Sequence, residues 1–289
     1  MVRAVAAKGA LRAVAATTTR LVEEARRRHG TSATATAALG RALTAAVLLS
    51  AGLKDRGRVT VRVAGDGPLS PVVAEASVEG HVRGYLRNPT FDLSPNAQGK
   101  LDVAGGVGRR GTIHVVRDLG LKEPYVGSSP LVSGLIAEDL TYFLHESDQT
   151  RSACALGVLV DVDLAVRAAG GFLVEALPPA EEEAVGRLEG NLVRMASVSA
   201  LIDEGKSPED ILTAALEGLG VKILGRSPLE FRCRCSRDKA RALLAALGEE
   251  ELRDMLAEGR SEMTCRFCNE RYLFSGDELA EILESLETS

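Results

Sequence analysis

Cys233 and Cys235, spaced C-x-C, and Cys265 and Cys268, spaced C-x-x-C, are the residues of this 289-residue chain best suited to chemistry. Thiolate is a soft ligand that Zn²⁺ accepts as a tetrahedral set of four, and two close pairs joined by a folded insert supply that set without distortion. The insert holds 29 residues, room for two short helices. The spacing therefore predicts one Zn²⁺ on Cys233, Cys235, Cys265 and Cys268. Four thiolates leave no open coordination position for water, which argues against hydrolytic chemistry.

Other arrangements are weaker. Cys265-Arg266-Phe267-Cys268 could serve as a dithiol redox motif, but such a motif opens a helix in a thioredoxin-like βαβ unit, and too little chain follows it. Cys154 lies in an apolar stretch and reads as a small buried residue rather than a reactive thiol. His29, His81, His114 and His145 do not fall at ligand spacing beside a cysteine pair. Gly105-Gly106-Val107-Gly108 hints at a phosphate loop, yet no Gly-Lys-Ser/Thr follows, so a tight turn is expected. Five cysteines without a secretory signal point to a reducing compartment, where paired thiols hold metal or sense redox state.

Charge is distributed unevenly. The net charge of −5 resides wholly in residues 233–289, with eight Lys/Arg against thirteen Asp/Glu, and residues 1–232 are neutral. Four thiolates on one Zn²⁺ would add two negative charges. A zinc-ribbon nucleic-acid protein, the alternative class that shares such cysteine pairs, needs Lys and Arg to displace counterions from phosphates, and an acidic module argues against it.

The elements that must position the cysteines read as three parts. Residues 1–177 form an α/β body with a mixed sheet and helices. It opens on a hairpin, since Arg3-Ala4-Val5-Ala6-Ala7 and Arg12-Ala13-Val14-Ala15-Ala16 repeat the same alternation around Lys8-Gly9-Ala10. That alternation, broken by Arg3, Lys8 and Arg12, does not suit an export signal. Helical spacing marks 20–29 and 34–53, with Gly30 and Gly52 as stops. Arg41 splits the second, leaving no uninterrupted apolar run of the roughly 18 residues that span a bilayer, so a buried helix is expected. Strands follow at 59–63, 72–78, 81–87 and 112–117, then a helix over 133–146 and strands at 153–162 and 173–177.

Pro178-Pro179 breaks the chain, and residues 178–232 read as a helical connector. Val185, Leu188, Leu192, Met195, Val198 and Ile202 recur at helical steps over 181–204, and Ser207-Pro208-Glu209-Asp210 caps a helix over 211–219. Residues 233–289 form the small C-terminal zinc-binding module. Its helices at 236–247 and 249–258 end at Gly248 and Gly259; a turn and strand lie at 264–274; Ser275-Gly276-Asp277-Glu278 caps a last helix. A unit below about 70–80 residues rarely has a sufficient core, and structural zinc contributes about 10–16 kcal/mol, so removing the metal is expected to unfold it. The fold class is α+β.

The cysteine pairs following Pro228-Leu229-Glu230-Phe231 occur with several further runs. These are Gly84-Tyr85, Asn88-Pro89, Lys100-Leu101-Asp102-Val103, Asp118-Leu119-Gly120-Leu121-Lys122-Glu123-Pro124-Tyr125-Val126-Gly127, Glu138-Asp139-Leu140-Thr141-Tyr142 and Ala169-Gly170-Gly171-Phe172. Together they resemble the redox-regulated molecular chaperones of the thirty-three-kilodalton heat-shock protein family over nearly the whole chain. The resemblance implies a cytoplasmic, ATP-independent holdase, not an enzyme, inactive while reduced and zinc-bound. Oxidation would turn Cys233, Cys235, Cys265 and Cys268 into disulfides, release zinc, unfold module and connector, and let apolar surface bind unfolding client proteins. A homodimer on activation is also implied, with no nucleic acid or membrane partner. Val185, Leu188, Leu192, Val198 and Ile202 are the expected client-binding residues. A Cys233–Cys235 disulfide would join residues about 6.6 Å apart in an extended strand, near the long limit, hence strained and easily reduced.

Overall fold

The computed structural model describes residues 1–54, 56–178 and 180–287, so Pro179 of the predicted break and the last two residues of the predicted module lie outside it. It divides into two compact units, 1–232 and 233–289. In the first unit, β1 (Val2–Ala6) and β2 (Leu11–Thr17) form the expected antiparallel hairpin, followed by α1 (Thr19–His29) and α2 (Ala33–Ser50). Gly30 ends α1 in the left-handed conformation at φ 61, which glycine adopts at little cost. Ser32 caps α2 by accepting the Ala35 amide. Then come β3 (Arg58–Gly65), β4 (Val72–Ser77), β5 (His81–Leu86), α3 (Val103–Val107), β6 (Gly111–Asp118), β7 (Tyr125–Pro130), α4 (Ala137–Glu146), β8 (Ser152–Val160) and β9 (Val166–Ala176).

The body's strands are shared between two sheets. One is antiparallel, ordered β10-β1-β2-β9-β8, with β10 at Lys222–Arg226; the other, β11-β5-β4-β3-β6-β7, with β11 at Glu230–Phe231, is mixed because β11 joins β5 in parallel. α2 is buried along nearly its whole length and packs on both sheets, which explains why it lacks a polar face. By length and composition it could cross a membrane, but it is the central helix of this core. Arg41, which interrupts its apolar run, donates weakly to the Leu135 carbonyl at 3.4 Å, while its Nε finds no partner.

Three body predictions are corrected. Residues 103–107 make one turn of helix rather than a tight turn, because Asp102 accepts the Gly105 amide as its cap. α4 starts at Ala137, not 133, because Asp139 gathers the preceding segment around its carboxylate. Buried Asp139 accepts the amides of Val132 at 2.8 Å, Ser133 at 2.9 Å and Ile136 at 2.9 Å, holding Ile136 at φ 70. β7 was not marked as a strand, since its Gly-Ser-Ser-Pro sequence carries little strand propensity.

Residues 180–232 contain α5 (Glu182–Arg194), α6 (Val198–Asp203) and α7 (Pro208–Ala215), then β10 (Lys222–Arg226) and β11 (Glu230–Phe231). The single helix expected over 181–204 is broken. Met195 turns extended at ψ 138, and Ser197 accepts the Ala200 amide to start α6 afresh. Ser207 and Asp210 form the anticipated capping box of α7. Both strands were missed. β10 pairs antiparallel with β1, and β11 pairs parallel with β5, so this segment closes an edge of each sheet.

The first sheet buries both faces. Along β2, Val14 and Ala16 enter the α2 core, whereas Leu11, Ala13 and Ala15 enter a second core with Leu188, Val198, Ile211, Leu212 and Leu216. The two glycines of Ala169-Gly170-Gly171-Phe172 permit this: a Cβ on Gly170 would stand 2.4 Å from Cδ1 of Ile202. Asn191, buried on α5, donates to the carbonyls of Ala215 at 3.1 Å and Glu217 at 3.0 Å, tying α5 to the end of α7.

The second unit holds α8 (Arg237–Ala245), α9 (Glu249–Ala257), the hairpin of β12 (Arg260–Thr264) and β13 (Arg271–Ser275), and α10 (Gly276–Glu287). β12 adds to the single strand expected there. Its fully buried apolar core is Ala240, Leu244, Leu252, Phe274, Leu279 and Ile282. Such a core is small for an independent fold.

Candidate metal centre

Each cysteine pair is placed by a local device. Ser236, directly after Cys235, accepts the Lys239 amide and starts α8, while Lys239 Nζ donates to the Arg234 carbonyl at 2.6 Å. The C-x-C pair thus leads straight into a helix N-terminus. Cys265 follows β12, and the chain turns before β13: the Cys265 amide donates to the Glu270 carbonyl at 2.8 Å and the Asn269 amide to the Cys265 carbonyl at 2.8 Å. Asn269 completes the turn at φ 60, a conformation asparagine tolerates.

Arg237 brings the two devices together. Its Nη2 donates to the Leu273 carbonyl at 2.7 Å and Glu278 Oε1 at 2.6 Å, and the guanidinium lies over the Phe274 ring, 4.6 Å from its centroid. One side chain therefore links the start of α8 to β13 and the start of α10. Sequence reasoning missed Arg237, because its role depends on where the hairpin returns.

The four sulfurs converge. All lie within 4.8 Å of one another, with Cys233 Sγ 3.7 Å from Cys265 Sγ and Cys235 Sγ 3.4 Å from Cys268 Sγ. A regular tetrahedron with Zn–S bonds of about 2.3 Å has sulfurs about 3.8 Å apart, so the donor set fits zinc in number, type and spacing. Cys268 is buried and the other three are half-buried. Burial pushes the Cys265 and Cys268 thiols up, so holding four thiolates here calls for a cation among them.

Hydrogen-bond donors already face the sulfurs. The Phe267 amide donates to Cys265 and the Glu270 amide to Cys268. Such partners orient metal ligands and stabilise their negative charge. The neighbouring Cys235, with burial second, pushes the Tyr272 hydroxyl up.

The remaining sequence-marked residues lie elsewhere. Cys154, on β8, packs partly against the α2 core, and burial, with Glu175 second, pushes its thiol up to about 12. His114 shares a 2.8 Å hydrogen bond with Thr112, and His81 lies 3.4 Å from Arg232. Val185 is buried, and of the other four, Leu188 and Val198 are buried and Leu192 and Ile202 partly buried in the core on the outer face of the first sheet.

A family model described as "Hsp33 protein" matches residues 1–275. The "33 kDa chaperonin" of Symbiobacterium thermophilum is 51% identical over 289 residues, covering 99% of this chain and 98% of the relative. That of Oceanobacillus iheyensis is 46% identical over 283 residues, covering 98% of each. A crystal structure of the 33 kDa chaperonin, a heat shock protein 33 homolog, from Thermotoga maritima superposes with a TM-score of 0.92 at 40% identity, covering 100% of this chain and 99% of that one.

Proposed function

The chain belongs to the Hsp33 protein family of chaperones, and from that premise we propose that it is an ATP-independent holdase switched on by oxidation of Cys233, Cys235, Cys265 and Cys268. The observation that carries the reading is the convergence of four sulfurs in a unit with so few buried apolar side chains. Zinc, when bound, supplies the cross-link that compensates for that core. In the reduced protein the four thiolates hold the ends of α8 and the β12–β13 hairpin in register. Once peroxide converts thiolates to disulfides the ligand set is lost, and the unit loses more binding energy than its core replaces.

The connector is the second part of the switch. Val185, Leu188, Leu192, Val198 and Ile202 are proposed as client-binding residues, exposed when α5 and α6 leave the sheet. Each fully buried Leu or Val contributes about 1.5–3 kcal/mol in place, so displacement needs the loss of a folded neighbour. Exposed apolar stripes of that size bind other apolar surface. The same reading takes residues 178–232 as a connector distinct from body and module, and the active form as a cytoplasmic homodimer without enzymatic activity. Nucleic-acid binding, the competing reading of a zinc ribbon, is disfavoured by the acidic cysteine unit. The test is aggregation of a heat-denatured client without nucleotide. Suppression by the oxidised form alone is expected; equal suppression by both forms rejects the redox switch, and none by either rejects the chaperone reading.

A further inference from the structure

We infer that the cleft between the end of α2 and the loop joining β6 to β7 binds one medium-chain fatty acid. The acyl chain lies among leucines and the carboxylate meets Lys54. All the residues involved belong to the first unit, so the site stands whether or not the cysteines hold zinc.

The cleft has a volume of about 460 Å³, within the range of about 300–1,000 Å³ that small-molecule sites occupy. Leu48 and Leu49 at the end of α2, Val14 on β2 and Leu173 on β9 form its wall. These four are buried members of the α2 core, so the wall is preformed by packing. The opposite side is the loop at 119–124, part of the run Asp118–Gly127, to which neither the cysteine site nor the connector gives a role. Leu119 and Leu121 of this loop line the cleft yet are 46% and 71% exposed. An apolar chain laid between them and the wall removes both leucines from water.

The mouth selects the head group. Arg12, Lys54 and Arg117 line the cleft against the carboxylate of Glu175. Arg12 is held by Glu175 through two hydrogen bonds of 2.9 Å, and Arg117 is held by Asp148 and lies over the Tyr125 and Phe143 rings. Those two cations are fixed and neutralised. Lys54 is exposed and has no ion-pair partner among the described residues, so its ammonium is the charge left to meet a ligand. Its flexible stem can follow a head group, and a carboxylate there gains a charge-assisted hydrogen bond that an ammonium or an alcohol head does not. Apolar walls with one polar group at the mouth fit a ligand of the same polarity, an acyl chain with an anionic end.

Isothermal titration calorimetry of the full-length reduced protein should find one saturable site for monomeric decanoate. Affinity should rise by about fourfold for each methylene added along the series hexanoate, octanoate, decanoate. Lys54→Glu should weaken octanoate about fivefold and leave octan-1-ol unchanged, whereas Leu121→Asp should weaken both. Each substitution is at an exposed position and should keep the wild-type circular dichroism spectrum. Absence of a saturable site, affinity that does not rise with chain length, or equal octanoate affinity in wild type and Lys54→Glu would overturn the inference. Sedimentation with phosphatidylglycerol vesicles without binding of monomeric decanoate would overturn it too, and make the same patch a membrane contact.

Discussion

A Cβ placed on Gly80 would stand 2.1 Å from the carbonyl oxygen of Pro228, and Gly80 holds φ at +83. The two meet where the chain passes from β10 on one sheet to β11 on the other, and the Glu230 and Arg232 amides then donate to the carbonyls of Gly80 and Val82, each at 2.9 Å. Phe231 of this short strand lies beneath the Arg28 guanidinium, 5.5 Å from the ring centroid. The seat needs glycine twice over, for its backbone conformation and for the close approach.

Gly80→Ala should therefore lift β11 off β5 without touching a cysteine. A strained backbone position with a steric clash costs about 1–3 kcal/mol, or roughly 4–8 °C in Tm for a cost of about 2 kcal/mol. Thermal unfolding and limited proteolysis of the reduced, zinc-loaded variant should show the lower Tm and earlier cleavage within residues 221–232. An unchanged cleavage pattern would mean that the strap is not held there.

How much of this was legible in the sequence depended on whether a signal was local. The hairpin of β1 and β2, α1, α2 and the capped α7 carried their own alternation, helical spacing or capping residues. The break between α5 and α6 did not, because Ser197 acts as a cap only once Met195 turns extended. β10 and β11 were hidden by Gly225, Pro228 and flanking charges, and exist because β1 and β5 offer open edges. The four cysteines stood out because few other arrangements use four thiols at that spacing. Arg237 did not, since the turn and hairpin register that bring it to β13 and α10 are tertiary facts.

Zinc stoichiometry checks the ligand set residue by residue. Cys233→Ser, Cys235→Ser, Cys265→Ser and Cys268→Ser should each lower zinc well below one per chain by elemental analysis, because three thiolates leave the tetrahedral site open. Cys154→Ser should keep the full complement. A full complement in any of the first four would remove that residue from the site.

Cys154, half-buried on β8, should behave as an unreactive thiol throughout. With its pKa raised from an ordinary 9.0 to about 12, it stays protonated at pH 7–8, so iodoacetamide should leave it unmodified in the folded protein. The sign of the linkage follows: the folded state keeps a proton that the unfolded state releases, so the stabilisation is complete below about pH 9 and is lost as pH rises towards about 12. The stability difference between wild type and Cys154→Ala, followed by denaturant titration from pH 8 to 11, should shift against the wild type as pH rises. A difference flat with pH would contradict this.

The redox switch itself is tested most directly by one peroxide titration of the full-length reduced protein, in which released zinc and light scattering from a heat-denatured client are read on the same samples. The account predicts that zinc release and client protection rise together with a common midpoint, and that fully zinc-loaded protein gives no protection. Protection by protein that retains all its zinc, or complete zinc release without protection, would contradict it.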